Sequence, residues 1–346
     1  MKYRTLGKTG FKVSEVGFGT WQLANDPDAW IGSDINESIQ CLKKYSDEGG
    51  NFIDTAWIYG YSNAHPNNHP SEELIGRFLK TVNRNNIIVA TKIPPKNMYW
   101  PALKNSLISE IFPEHHIIQC VNDSLKSLGV DQIDLMQFHV WQDSWANENE
   151  WKDTISEILQ SGKVKFFGIS INDYQPSNCL KTLDTGLIAT IQFIFNIFHQ
   201  KPTEKLLPYA KEHNIGLIAR VPLDEGGLGG KITSHTTFLQ GDLRNTYFGG
   251  SRLEELVQRT AKLKRFLGNE VHLLPKMALR YILSFNQIST VIPGMRRLYQ
   301  VEDNLKTSEL GGLSQNLMNE IKNHSWERNF YTNHDPNMNM SDYVEK

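Results

Sequence analysis

The stretch NFIDTAWIYG (51–60) opens with apolar Phe52 and Ile53, then sets a carboxylate, Asp54, where the apolar run stops. A phenol, Tyr59, follows five residues later. An apolar run without polar alternation fits a strand covered on both faces, as parallel strands are. Seven further runs share that character: VSEVGFG (13–19), IIVATK (87–92), DLMQFH (134–139), VKFFGIS (164–170), TIQFIFN (190–196), GLIARVP (216–222) and STVIPG (289–294). Helix-period segments lie between them. Ile35, Ile39, Leu42 and Tyr45 recur behind a Ser33-Asp34 cap; Ile118, Val121, Leu125 and Leu128 stop at Gly129; Trp151 to Leu159 stops before Gly162; and Leu256 to Leu267 ends at Gly268. Eight strand-like runs alternating with helices predict an α/β chain folded as a (β/α)8 TIM barrel, with all crossovers leaving the strands parallel. A doubly wound sheet is the alternative, but no G-x-G-x-x-G follows an early strand, and GFGTWQ carries only the first two glycines. The segment YRTLGKTGFKV (3–13) reads as an N-terminal β-hairpin ahead of the barrel.

The 346 residues can bury a large core without disulfide or metal staples. Barrels of more than about 250 residues commonly form one domain, so residues 1–335 are expected to be a single unit, with 336–346 a mobile polar tail. A net charge of −2 offers no electrostatic footprint for nucleic acid. Cys41, Cys120 and Cys179 are widely spaced and match no metal pattern, so each is expected to be a small buried hydrophobe in a reducing compartment. The start MKYRTLGKTG lacks a signal-peptide core and no apolar run approaches ~18 residues, so a cytoplasmic protein without a membrane partner is expected. Two long loops, YSNAHPNNHP (61–70) and the Gly-rich 224–250, fall on the C-terminal face, where barrels carry their active sites.

On the barrel reading Asp54, Lys92 and His139 end the second, third and fourth strands, and Tyr59 lies on the loop above Asp54. Each alone has a structural explanation, as a cap, a solvated lysine or a core histidine. Together they form a set suited to giving a proton to a developing alkoxide. A phenol of pKa ~10 is a weak acid at neutral pH, and an adjacent ammonium is expected to lower it. The carboxylate would hold the lysine charged, and a neutral imidazole would orient a carbonyl oxygen.

The eighth run leads into IPGMRRLYQVEDNLK, with a helix expected from near Leu298. Arg296, Gln300 and Asn304 are spaced four apart, and arginines at a helix N-terminus suit a nucleotide phosphate; an amphipathic helix with solvated arginines has the same spacing. Ser170 and Asn172 at one strand end, with Gln192 and Asn196 at the next, offer amides to a carboxamide.

These motifs, with GFGTW, SEELIG, ATK and GKVKFFGIS, resemble the aldo-keto reductase superfamily over roughly nine-tenths of the chain. The resemblance implies a barrel that binds NADPH (NADP+) across its C-terminal face and reduces an aldehyde or ketone. It makes Asp54, Tyr59, Lys92 and His139 the catalytic set, with Tyr59 as general acid. Ser170 and Gln192 match residues holding the nicotinamide carboxamide, with Asn172 one residue late against the family's pattern. Thr20 and Trp21 match a segment touching cofactor and substrate. Arg296, Gln300 and Asn304 match the 2′-phosphate and adenine contacts, and Leu223, Gly294 and Arg297 complete the implied cofactor set. Arg296 and Arg297 favour NADPH over NADH on charge.

Arg220 stands where the family's stacking aromatic would be, and two roles are open to it: stacking through its planar guanidinium, or meeting a substrate carboxylate or phosphate. The 61–70 insert reads as a solvated lid, since a proline between His65 and His69 argues against a helical metal site. Trp141 and Trp145 either wall the pocket or pack within their loop. No metal is implied, and the partner expected is a small carbonyl compound. A cofactor-sensing or interaction protein with little turnover is a second reading. A cofactor-free lyase or isomerase would leave IPGMRR unexplained.

Overall fold

A computed structural model of the chain describes residues 1–26 and 29–331; the 336–346 tail lies outside them. A hairpin, β1 (Tyr3–Thr5) and β2 (Lys12–Ser14), pairs antiparallel. Eight parallel strands follow: β3 (Phe18–Gly19), β4 (Phe52–Asp54), β5 (Ile88–Ile93), β6 (Ile133–Phe138), β7 (Val164–Ser170), β8 (Ile188–Ile194), β9 (Gly216–Arg220) and β10 (Thr290–Val291). They lie side by side in chain order. Bridges from Val16 to Val291 and from Gly19 to Gly294 join the first to the last, closing the barrel. The run 13–19 therefore divides between two elements, with Val13 and Ser14 in the hairpin and Phe18 and Gly19 in the barrel.

The helices run α1 (Ile35–Asp47), α2 (Pro70–Leu79), α3 (Glu114–Leu128), α4 (Glu150–Gln160), α5 (Leu206–Glu212), α6 (Arg252–Lys264), α7 (Leu274–Leu283), α8 (Leu298–Leu310) and α9 (Gln315–Lys322), with two shorter ones between β5 and β6 and between β7 and β8 and another in the loop after β9. Their ends follow local chemistry. Asp34 caps α1 by accepting from the Glu37 amide at 2.8 Å, and Gly129 ends α3 in the left-handed region. Ile35 is exposed, so the buried face of α1 is Ser38, Cys41, Leu42 and Tyr45. Helix α6 stops at Lys264, four residues before Gly268. No helix among the described residues is long and apolar enough to cross a membrane. Cys41, Cys120 and Cys179 are buried and unbridged.

The barrel interior is layered by the two-residue period of its strands. A lower layer of Phe52, Ala90, Leu135 and Ile218 packs with Ile292 against Leu6 and Val13 of the hairpin and its turn. The hairpin seals this end. At Gly7 a β-carbon would lie 2.1 Å from the Gly216 amide, so only glycine permits the approach. Arg4 ties the hairpin down, donating to the carbonyls of Leu283, Phe285 and Ile288 and to Glu15. With the N-terminal end filled, the next inward layer, Asp54, Lys92, Gln137, Gln192 and Arg220, faces the open end.

Candidate active site

The upper layer is a hydrogen-bonded unit spanning the barrel. Lys92 Nζ donates to Asp54 Oδ2 at 2.6 Å and to the Thr55 carbonyl at 2.7 Å. From the opposite wall, Gln192 Nε2 donates to Asp54 Oδ1 at 2.6 Å, with Gln137 3.5 Å from the same oxygen. Lys92 is 0% exposed, so its charge depends on this carboxylate. Burial moves the lysine below its ordinary range, with Asp54 opposing. Thr20 fixes Asp54 from the first strand, its amide and hydroxyl both donating to the Asp54 carbonyl at 3.0 Å.

Tyr59 stands over this pair, its hydroxyl 3.4 Å from Lys92 Nζ. The loop carrying it is pinned to β5 by Thr55 N to Ala90 O and Trp57 N to Lys92 O. The expected lowering of the phenol is not the net result. Burial pushes Tyr59 well above its ordinary range and the Asp54 carboxylate adds to that, against Arg220. The phenol therefore keeps its proton at neutral pH. His139, one residue past β6, has its ring centroid 5.8 Å from that of Tyr59. Burial, with Lys92 and Arg220, holds its imidazole well below the usual range and hence neutral, and Nδ1 is buried without a partner among the described residues.

These residues open into a cavity of about 1290 Å³. Five rings form a continuous wall across the end that holds Asp54: Trp30, Trp21, Tyr59, His139 and Trp100. Trp21 stacks on Tyr59 at 5.7 Å and meets Trp30 edge-on at 6.2 Å, while Trp100 meets His139 edge-on at 5.6 Å. At the far end the cavity reaches α8, which begins at Leu298 as expected. Arg296 donates to the Ile31 carbonyl at 2.6 Å, and Arg297 pairs with Glu37. Gln300 Oε1 accepts from the amides of Arg296 and Arg297 at 2.8 and 3.0 Å, so its acceptor is spent on the turn, and both Gln300 and Asn304 line the cavity. Gly294 lies flush with Gln22: a β-carbon there would come within 2.4 Å of that amide, whose own Oε1 is buried without a partner among the described residues.

A profile of the Aldo/keto reductase family matches residues 15–325. The chain belongs to that family. Aldo-keto reductase YhdN of Bacillus subtilis (strain 168) is 30% identical over 324 residues, covering 91% of this chain and 90% of that protein. The NADH-specific methylglyoxal reductase of Escherichia coli (strain K12) is 26% identical over 321 residues, covering 88% and 93%. Among solved structures, the holo form of aldo-keto reductase AKR11C1 from Bacillus halodurans superposes with a TM-score of 0.70 at 26% identity, covering 96% of this chain and 99% of that one. Members of the family are oxidoreductases that bind nicotinamide cofactors, and that class extends to this chain.

Against the family's pattern, several expected residues take other places. The Asn172 side chain is fully engaged, with Oδ1 accepting from the amides of Ala102 and Trp141 and Nδ2 donating to Ala102 O and Gln175. It ties two loops together and has no valence left for a ligand amide. Ser170 is buried at the tip of β7 in register with Gln192, and Asn196 holds its own turn and the Val221 carbonyl. Trp141 and Trp145 pack in the core with Phe138 and Trp151, so they are not the pocket wall. The 61–70 insert does not line the cavity. His69 folds under it onto Trp57 at 4.2 Å, its Nδ1 3.0 Å from the Trp57 carbonyl, while His65 is exposed. The exposed part is thus 63–68, and it contributes nothing to the lining of the cavity.

Sequence reasoning missed Met98 to Pro101, Asp173 and Tyr331, which line the cavity with Glu225. It also missed what fixes the loop carrying Leu223 and Glu225. Val221, Asp224 and Glu225 all have positive φ, near 50°, a strain of roughly 1–3 kcal/mol each. A buried ion pair holds the turn: Arg328 Nη2 meets Asp224 Oδ1 at 2.5 Å, and the Tyr247 hydroxyl donates to the same oxygen at 2.8 Å.

Proposed function

We propose that this protein is an NADPH-dependent reductase of aldehydes or ketones in which Tyr59 donates the proton. The observation carrying this reading is the convergence of Asp54, Lys92, Tyr59 and His139 at one end of a long cavity whose other end meets Arg296 and Arg297. Bound NADPH supplies the hydride. The protein's task is then to hold a carbonyl carbon in place and stabilise its oxygen as charge builds there. The neutral His139 orients that oxygen from the ring wall. Tyr59 keeps its proton until the oxygen becomes strongly basic, then gives it up. Lys92, held charged by Asp54, sits 3.4 Å away to stabilise the phenolate left behind.

The residues present suit a dinucleotide. Gln192 spends Nε2 on Asp54 and keeps Oε1 as an acceptor for the carboxamide. Trp30 Nε1 and Gln22 Oε1 are buried groups without partners among the described residues and would supply polar contacts along the cavity. Two arginines beside the start of α8 favour a 2′-phosphate. Glu37 competes for Arg297, so Arg296 is the residue on which the preference for NADPH rests.

The test is quenching of tryptophan fluorescence on adding NADPH, followed by loss of reduced-nicotinamide absorbance over a panel of carbonyl compounds. Tyr59→Phe is expected to bind the cofactor with unchanged affinity and to lose turnover by about a hundredfold or more. A Tyr59→Phe protein as active as its parent refutes the role.

A further inference from the structure

Arg220 is the charged group at the catalytic end whose role the proton-transfer scheme leaves unassigned, and the structure narrows it. Its Nη2 donates to Asp173 Oδ1 at 2.6 Å and to the Ile171 carbonyl at 3.1 Å. Burial opposes its charge, but Asp173 outweighs that and holds the guanidinium above its ordinary range. The charge of the arginine is therefore already balanced by a carboxylate of the protein, through Nη2 alone; its Nε is buried without a partner among the described residues.

The other cations near the ring wall are committed in the same way. Lys92 belongs to Asp54, and Arg244 is gripped by Asp242 through Nε at 2.8 Å and Nη2 at 2.7 Å while covering the Trp30 ring. A further carboxyl, Glu225, faces the same space and accepts from the Tyr331 hydroxyl. Among the described residues, no cation at this end is free of a protein carboxylate. What remains open to a substrate is the ring wall of Trp21, Trp100 and their neighbours.

We propose that the Asp173–Arg220 pair restricts the site to uncharged aromatic carbonyl compounds, with Asp173 standing where a substrate carboxylate would otherwise be received. An anionic substrate entering here would lose its hydration, find no unpaired cation, and meet the Asp173 carboxylate as a like charge, an arrangement that works strongly against binding. An uncharged ring loses nothing comparable and gains contact with aromatic faces. This rests on the carbonyl-reductase reading above, and it fixes one device within that site: break the pair, and the same arginine becomes a carboxylate receptor.

The experiment compares kcat/KM for benzaldehyde and 4-carboxybenzaldehyde with NADPH. The parent enzyme is expected to favour the uncharged aldehyde by about tenfold or more. Asp173→Asn should erase most of that preference by lowering KM for the carboxylated aldehyde. Adding Arg220→Gln to it should remove the gain, and Asp173→Glu, which can keep the pair, should behave as the parent. The same contrast is read without turnover by titrating tryptophan fluorescence with benzamide and benzoate. Absent turnover with benzamide still preferred over benzoate would overturn the reductase reading and leave the charge selection standing. Equal use or equal binding of the charged and uncharged compounds by the parent, or an Asp173→Asn protein with the parent's preference, would overturn the proposal.

Discussion

Replacing Asp54 with Asn tests the centre of the site through stability rather than rate. Asp54 offers Lys92 a contact of 2.6 Å inside a barrel where the lysine is 0% exposed, and its other oxygen partners, the Thr55 carbonyl at 2.7 Å and the Tyr59 hydroxyl at 3.4 Å, carry no charge. The amide keeps the shape and removes the charge. A buried ammonium without its counter-ion costs about 3–5 kcal/mol. Alternatively the lysine sheds its proton, and the cost becomes that of deprotonating it. The sign follows from linkage. In the variant the folded-state pKa of Lys92 is depressed further below the unfolded value of about 10.4. The native state then binds fewer protons than the unfolded chain, so stability rises with pH between those two values. Urea unfolding at several pH values between about 7 and 10 should show a loss of about 3–5 kcal/mol at the low end that shrinks toward the high end. Asp54→Asn/Lys92→Met should recover most of it, since the pair is then replaced by apolar volume. A loss below about 1 kcal/mol, or a larger one that ignores pH, would refute the account of Lys92 as a charge held in place by Asp54.

Because burial keeps His139 neutral well below its usual range and Tyr59 protonated well above its own, the reductive kcat should be flat from about pH 6 to about pH 9; an inflection near the ordinary histidine pKa that vanishes in His139→Gln would contradict this. Arg296→Ala should weaken NADPH by about tenfold or more and leave NADH nearly unchanged, while Glu37→Gln, by releasing Arg297, should tighten NADPH; calorimetric titration with both cofactors decides. Glu72 is fully buried, with the Thr91 hydroxyl donating to its Oε1 at 2.5 Å, and burial pushes it up to about 7. A carboxyl raised in the folded state stabilises it at low pH and loses that contribution as pH rises through the folded value, so stability should fall by about 3 kcal/mol between about pH 4.5 and 7 on its account. Glu72→Gln should flatten that part of the urea-midpoint profile.

The barrel was legible because its physics is repetitive. Each interior strand had to be apolar on both faces, and Phe52, Ala90 and Leu135 report that without reference to any distant residue. The change from apolar to polar at the next inward position marked the open end, so Asp54 and Lys92 could be placed from strand runs alone. The run 13–19 misled because hairpin and barrel strand are both apolar there, and only pairing partners separate them: Val13 faces Arg4, whereas Phe18 faces Ile53. Composition misled at 61–70 for a related reason. A Pro- and Asn-rich loop reads as solvated, yet the ring of His69 belongs under Trp57, a contact no local pattern announces.

At the site, what stayed hidden was partnership across the barrel. Asp54 and Gln192 are 138 positions apart and 2.6 Å from bond to bond; Asp224 and Arg328 are 104 apart. A side chain's chemistry depends on which of its valences the fold has already used, and sequence reports the side chain without the use. Asn172 looked like a ligand amide and is spent on Ala102 and Trp141, while Arg220 looked like an anion receptor and has its charge balanced by Asp173. Gln137, an unremarked strand residue, reaches toward the key carboxylate instead. The same accounting joins the two halves of the mechanism. Asp54 divides its oxygens between Lys92 and Gln192, so one carboxylate both sustains the charge beneath Tyr59 and sets which atom of Gln192 is left for a carboxamide. On the proposed reading, proton donation and cofactor orientation rest on a single hydrogen-bonded unit, and a substitution at Asp54 is expected to disturb both together.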